Sequence, residues 1–241
     1  MRIHQFHKLI QHRQAISTKP FNARGSKVER CQLCCVSLSH CICEFLKPSQ
    51  SDFSVLLIVS GNEVLKPSNT GRLIADIVED THVYQWHRTE PQPSMLDLLN
   101  DENMCPILVF PEQYIENKDR IVTHPSDLPL ADKKPLFVLI DGSWREARKI
   151  YNKSPYLQSL PVVSVAAERV SEYIMRKSEG ENHLATAEVA TMVFEQFGKS
   201  AVSKELSLWF EVFREAYLLS KTRIKPDYTR PALHRYLELE R

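Results

Sequence analysis

The chain has 241 residues, of which 43% are hydrophobic and 25% charged, and its formal net charge is +1. That length can bury a substantial core within one large domain, and the composition is that of an ordinary globular protein. No apolar run approaches the ~20 residues of a membrane helix, and no secretory leader pattern opens the chain, so the expectation is a cytoplasmic protein without a membrane partner.

The charge is unevenly spread. Residues 1–30 hold seven Lys or Arg (Arg2, Lys8, Arg13, Lys19, Arg24, Lys27, Arg30) against one acid, Glu29, which leaves +6 before His4, His7 and His12 are counted. Such a basic arm is drawn to a polyanion such as nucleic acid. A solvated basic helix with no partner and a mitochondrial presequence are the competing readings. Within the arm, Ile3, Phe6, Leu9 and Ile10 fall at the spacing of an amphipathic helix.

Five of the six cysteines sit within 31–43, in RCQLCCVSLSHCICEF. This is C-x2-C, six residues, then C-x-C, and Cys31, Cys34, Cys41 and Cys43 can supply four thiolates to a structural zinc ion, Zn(2+). A segment this short has too little apolar area to fold alone, so a metal would hold it. Cys35 and His40 are spare donors, and a set of reduced, unliganded cysteines is the alternative. Cys105, isolated beside Pro106, reads as a small apolar filler.

Beyond the knuckle, FSVLLIV (53–59) reads as a buried strand, and KPSNTGRLIADIVED as a turn followed by a helix. HVYQW (82–86), ILVF (107–110), LFVLI (136–140) and PVVSV (161–165) are further strands. Helical patterns occupy 94–100, 143–152, 186–197 and 204–220; Thr186 suits an N-cap and Gly198 a helix end. In the last helix Leu206, Trp209, Phe210, Phe213 and Tyr217 share one face, which reads as core packing. Alternating strands and helices predict an α/β domain with a mainly parallel sheet flanked by helices. The expected organisation is a basic arm (1–30), a Cys-rich zinc knuckle (31–48) and one larger domain (49–241).

Ligands of open α/β sheets bind beyond the carboxyl ends of the strands. Three polar segments lie at such ends. In SNTGRL (68–73), Ser68, Asn69 and Thr70 can cap a helix, Gly71 permits close approach, and Arg72 makes the helix start a candidate anion site. Pro111-Glu112 follows ILVF. Asp141-Gly142-Ser143-Trp144 follows LFVLI: Gly142 allows a sharp turn, Ser143 can cap the next helix, and Trp144 can stack on a base or anchor the core. Arg145, Arg148 and Lys149 give that helix a basic face. Downstream lie Tyr173, Arg176 and Lys177, then Glu188 in the first turn of a helix, a favourable place for a carboxylate whatever its role.

These segments together resemble the DTW-domain family, named for its Asp-x-Thr/Ser-Trp motif, and in particular its bacterial tRNA-uridine aminocarboxypropyltransferases. The matching stretches are RCQLCCVSLSHCIC, KPSNTGRLIADIVEDT, QWHRTEP, VFPEQY, PLFVLIDGSWREARKIYNKSPYLQSLPVVSV and ATAEVA, across about residues 18–195. Ser143 stands where the family usually has Thr; the hydroxyl is kept and the methyl is not. The resemblance implies a SPOUT-like α/β fold and leaves open a knotted C-terminal part of the sheet. It implies transfer of the 3-amino-3-carboxypropyl group of S-adenosylmethionine to N3 of a tRNA uridine, uridine 47 of the variable loop in the nearest relatives, with release of methylthioadenosine. On this reading Asp141 is the base or an anchor of the donor's amino group, with Glu188 the second candidate base. Ser143 and Trp144 complete the catalytic stretch, Trp144 stacking on adenine or uracil. Asn69, Thr70, Gly71, Arg72, Pro111, Gly142 and Arg176 hold the donor, and Arg145 with Arg176 meets RNA. The partners expected are tRNA and S-adenosylmethionine; nothing points to an obligate protein partner. A methyltransferase of related fold, a non-catalytic zinc-containing RNA-binding protein and a C-x-x-C redox protein are the alternatives.

Overall fold

A computed structural model describes residues 1–18, 28–47, 49–128, 130, 132–164, 184–220 and 227–239. The apolar runs become β1 (Ser54–Val59), β2 (Thr81–Gln85), β3 (Met104–Val109), β4 (Lys134–Asp141) and β5 (Val162–Val163). Among the described residues they form one parallel sheet in the order β2-β1-β4-β3-β5. The central pair is in register from Ser54 opposite Leu136 to Val59 opposite Asp141. Two prolines sit inside strands at places where no neighbour needs their missing N–H. Pro106 precedes the part of β3 that pairs with β5, and Pro135 precedes the part of β4 that pairs with β1.

Alternation along the strands divides the core in two. Val55, Leu57, Val59, Phe137 and Leu139 face one helical layer, and Leu56, Ile58, Leu136 and Val138 face the other. The first layer holds α1 (Gln5–Ala15), α2 (Gly71–Ile77), α5 (Thr186–Gln196), α6 (Ser200–Leu219) and α7 (Pro231–Leu237). The second holds α3 (Pro93–Leu99) and α4 (Trp144–Asn152). β1 and the middle of β4 are apolar because both faces of the sheet are covered there, whereas the edge strand β2 is mixed. The aromatic stripe of α6 is buried core, as its spacing predicts. Phe53, Phe137, Phe194 and Phe197 interlock beneath it, with neighbouring ring centroids 4.8–5.5 Å apart. Each such ring contributes roughly 1.5–3 kcal/mol of burial.

Two local expectations change. Thr186 is the first residue of α5, and Ala185 holds the N-cap position. The far end is as expected: Gly198 takes φ +71°, and Lys199 N–H reaches back to the Phe194 carbonyl at 2.8 Å. The N-terminal helix is part of the fold rather than a loose arm. Phe6 and His7 on α1 are buried, Gln5 accepts a hydrogen bond from Val83 N–H on β2, and Arg2 donates to the carbonyls of Ala75 and Val78. Lys19, Arg24 and Lys27 of the arm lie outside the described residues. The resemblance leaves open a knot in the C-terminal part of the sheet, and residues 165–183 in that part also lie outside the described residues.

The chain leaves β1 for α2 in one layer and leaves β4 for α4 in the other. The carboxyl ends of these adjacent strands are therefore a topological switch point, where an open α/β sheet forms its crevice. Deleting residues 1–16 is expected to lower the urea midpoint of the whole protein, because it uncovers the apolar surface of α2 and β2; an unchanged midpoint would show that α1 is only an appendage.

Candidate active site

Asp141, the last residue of β4, is wholly buried. Its carboxylate accepts hydrogen bonds from Asn69 Nδ2 at 2.5 Å and Thr186 Oγ1 at 2.7 Å. The starts of α2 and α5 therefore converge on it. Gly71 is required at this convergence: a Cβ there would sit 2.6 Å from Asp141 Oδ2. Asn69 Oδ1 in turn accepts from Arg72 N–H at 2.9 Å, so Asn69 takes the capping role that SNT predicts. Thr70 is buried, and its hydroxyl has no hydrogen-bond partner among the described residues.

Arg72 departs from its expected place. It is 1% exposed and turns away from the rim. Its guanidinium donates to the carbonyls of Leu33 and Cys34 at 3.2 and 2.8 Å and pairs with buried Asp76 at 3.5 Å. A side chain so engaged is scaffold, and the anion-binding role read from SNTGR does not fit its position. Asp76 also receives His4 Nε2 at 2.9 Å and Trp209 Nε1 at 3.0 Å.

The next turn carries a second braced carboxylate. Ser143 is the N-cap of α4 and forms a capping box with Glu146. Glu146 accepts from Ser60 Oγ and Asn62 Nδ2, both at 2.6 Å, and from Ser143 N–H at 3.1 Å and Ser143 Oγ at 2.8 Å. Burial alone would raise its pKa. The hydrogen bonds from Ser60, Ser143 and Asn62 outweigh that and hold it at about 2. This network ties the exit of β1 to the exit of β4 across the switch point. A Cβ at Gly142 would lie 3.2 Å from Glu146 Cβ and 3.3 Å from Ser60 Cβ, so glycine lets the two loops close.

Trp144 is half-buried beside Phe110 and Tyr114, with ring centroids 5.6 and 4.8 Å away. Pro111 sets the short turn Glu112–Tyr114 that delivers Tyr114 to this cluster. Arg145, Arg148 and Lys149 are exposed on α4. Arg148 lies over the Tyr114 ring at 4.7 Å and Lys149 over Trp86 at 5.6 Å. Glu188, half-buried in the first turn of α5, accepts from Ala185 N–H at 2.8 Å. Tyr173, Arg176 and Lys177 lie outside the described residues. Ser60, Asn62, Glu146, Tyr114 and Thr186 as an Asp141 partner were not anticipated. Ser143-x-x-Glu146 is a capping-box pattern, and Ser60 to Asn62 follow a strand end, so both signals stand in the chain.

In the knuckle, Cys31 and Cys43 sulfurs lie 3.6 Å apart and those of Cys34 and Cys41 3.7 Å, all four within 4.8 Å of one another. Four sulfurs at the usual zinc distance of about 2.3 Å form a tetrahedron with edges of about 3.8 Å. The two pairs match that edge, and the four thiols together fit a zinc ion. Cys35 sits outside the group, at φ +58°, with its sulfur turned to the Leu33 carbonyl. His4, His7 and Asp76 also come within 4.8 Å of one another. There the Arg72 cation and the Trp209 N–H already engage the carboxylate, so this group is a hydrogen-bonded brace.

A parallel sheet flanked by helices, with a polar and aromatic rim at its switch point and a four-cysteine knuckle beside it, defines an α/β protein. Within that class the chain belongs to the DTW domain family, whose domain matches residues 28–218. It is similar to tRNA-uridine aminocarboxypropyltransferase 2 of Drosophila melanogaster, 38% identical over 85 residues. That stretch covers 30% of this chain and spans about a third, 34%, of the fly protein. No solved structure matches. Among the described residues no helix is long and apolar enough to cross a membrane.

Glu146 has an ordinary value of 4.5 and a folded value of about 2, so the unfolded chain takes up the proton first. Its contribution is present above about pH 4.5 and is lost as pH falls towards 2. Glu146→Gln is expected to lower the neutral-pH urea midpoint, with the gap from the parent closing over that acid window; a pH-independent gap would show that the charge is irrelevant. Metal analysis of purified protein is expected to find one zinc per chain, lost in Cys34→Ser and kept in Cys35→Ser.

Proposed function

We propose that the protein transfers the 3-amino-3-carboxypropyl group of S-adenosylmethionine to N3 of a tRNA uridine, uridine 47 of the variable loop being the candidate position. The observation that carries this reading is the Asp141–Trp144 stretch at the switch point, in a chain that resembles a tRNA-uridine aminocarboxypropyltransferase. Uracil N3 attacks the γ-carbon of the methionine moiety. The bond from that carbon to sulfur breaks, sulfur keeps the electron pair, and methylthioadenosine leaves. The N3 proton passes to a carboxylate. Three carbons are bonded to the sulfonium, so the product is decided by which one the site holds in line with N3, and orientation of this kind supplies several kcal/mol.

The braces suit that demand. Glu146, with a pKa of about 2, is too weak a base for a uracil proton, and its oxygens are occupied by Ser60, Asn62 and Ser143. Asp141 is buried between Asn69 and Thr186, which suits a positioning residue holding the starts of α2 and α5. Glu188, half-buried beside this junction, is then the better candidate base. Thr70 holds a buried, unsatisfied hydroxyl ready for the donor's carboxylate or amine. Pro111 and Gly142 border the same crevice, and Arg176 stays a candidate partner of the carboxylate. Trp144 and Tyr114 offer a stacking surface, and Arg145, Arg148 and Lys149 face phosphate. Zinc, bound by Cys31, Cys34, Cys41 and Cys43, holds the knuckle shut.

The test incubates the protein with unmodified tRNA and S-adenosylmethionine and maps the altered nucleoside by mass spectrometry. An aminocarboxypropyl group on uridine with methylthioadenosine as by-product is expected. Methylated RNA with S-adenosylhomocysteine would replace this reading with a methyltransferase, and tRNA binding without any product would leave an RNA-binding protein. Trp144→Ala is expected to cost about 1–3 kcal/mol in kcat/KM through lost stacking. Glu188→Gln is expected to lower kcat by roughly 10²–10⁴ with both substrates still bound.

A further inference from the structure

Arg72 is a buried cation that the proposed chemistry does not use. Burying a guanidinium is costly, and an apolar side chain of similar size is often as stable, so its presence asks for a reason. Its hydrogen bonds supply one. On one side the guanidinium grips the carbonyls of Leu33 and Cys34, and Cys34 is itself one of the four clustered thiols. On the other side the Arg72 N–H holds Asn69 Oδ1 at 2.9 Å, and Asn69 Nδ2 holds Asp141 Oδ2 at 2.5 Å. Two sets of hydrogen bonds, one to the Arg72 guanidinium and one to its backbone N–H, are therefore joined through the Arg72 residue itself and lead from the cysteine loop to the Asp141 carboxyl group.

We propose that Arg72 is a positioning residue through which metal loading of the knuckle sets the Asn69–Asp141 geometry at the strand ends. That this geometry receives S-adenosylmethionine rests on the function proposed above; the coupling itself does not. Three features make the path stiff. α2 is a single short element, Gly71–Ile77, that carries Arg72 and Asp76 and starts at the Asn69–Gly71 turn. Asp76, 0% exposed, is held from three sides by Arg72, His4 and Trp209, so the guanidinium has a fixed counter-charge. The Arg72 side chain also lies over the Phe213 ring at 5.3 Å, which closes off sideways movement. Once the Cys31–Cys34 turn loosens, the fork loses its carbonyls in a site water does not reach. The penalty is relieved only if α2 shifts, and a shift of α2 carries Asn69 and Gly71 with it.

Hydrogen exchange read by mass spectrometry tests this without any substrate. The reporters are the amides of 69–72 and 142–144, with Val55–Ile58 of β1 as a core reference. In the parent protein, stripping zinc with a chelator under reducing conditions is expected to speed exchange at the reporters at least tenfold and leave the reference unchanged. Zinc-loaded Arg72→Met is expected to show the fast reporters already, and stripping it should add nothing there. Reporters that ignore stripping, or that respond equally in parent and variant, would overturn the proposal. If Arg72→Met does not fold, Arg72→Lys replaces it. It keeps a charge beside Asp76 but has one donor head instead of a fork, and the same criteria apply. If stripping unfolds the whole chain, the loaded proteins decide. Faster reporters with an unchanged reference in Arg72→Lys support the path, and unchanged reporters refute it. Calorimetry adds the functional arm: S-adenosylmethionine affinity should fall about tenfold on stripping the parent and not further on stripping the variant. Absence of any binding to the loaded parent would sink the transferase reading while the exchange result stands.

Discussion

A carboxylate sealed from water survives only while the protein supplies the hydrogen bonds that water would have made, and Asp141 is sealed completely. Its partners are dictated by that need. Asn69 comes from the turn before α2 and Thr186 from the first turn of α5, separated from Asp141 by 72 and 45 residues. Both helices must therefore begin at the end of β4, and the backbone at residue 71 must come so close that only glycine fits. The rim has its shape because one buried carboxyl group at its floor has to be satisfied.

The same logic repeats outward. Arg72 and Asp76 are a buried pair whose desolvation is offset by carbonyls of the knuckle, the imidazole of His4 just before α1 and an indole of α6. Glu146 is a less buried charge, and its four hydrogen bonds fasten the loop after β1 to the loop after β4. Polar groups thus join elements distant in sequence, while apolar burial in two layers supplies the bulk of the stability. Pairs of this kind fix which arrangement is adopted more than how stable it is, because each satisfied partner leaves an unsatisfied one in any other packing.

What stays open to a ligand is the complement of these braces. Asp141 and Glu146 are turned to internal partners. Trp144, Tyr114 and the cations of α4 lie at the surface. A site built this way holds its floor rigid and presents aromatic and cationic groups outward. Those are the properties that capture of a nucleic-acid base and control of a sulfonium's orientation would require.

Much of this was legible in the chain. The strands at 53–59 and 136–140, the helices at 143–152 and 204–220, the parallel α/β class and the four thiols of the knuckle follow from periodicity and spacing, which are local properties. So does Ser143 as a cap, since its partner is three residues away. The direction of a buried charge is not local. Arg72 beside SNTG reads as an anion binder, yet it serves carbonyls 38 and 39 residues earlier in the chain. Asp141 reads as a candidate base or anchor at a strand exit, yet it is buried where the starts of α2 and α5 meet. The choice between Cys34 and Cys35 was likewise left to the backbone, which turns the second sulfur out of the group. The sequence by itself determined the elements and the chemical types at their ends. Only the tertiary structure decided which of those groups face each other, because desolvation makes a buried polar group choose its partner by distance in space and not by distance along the chain.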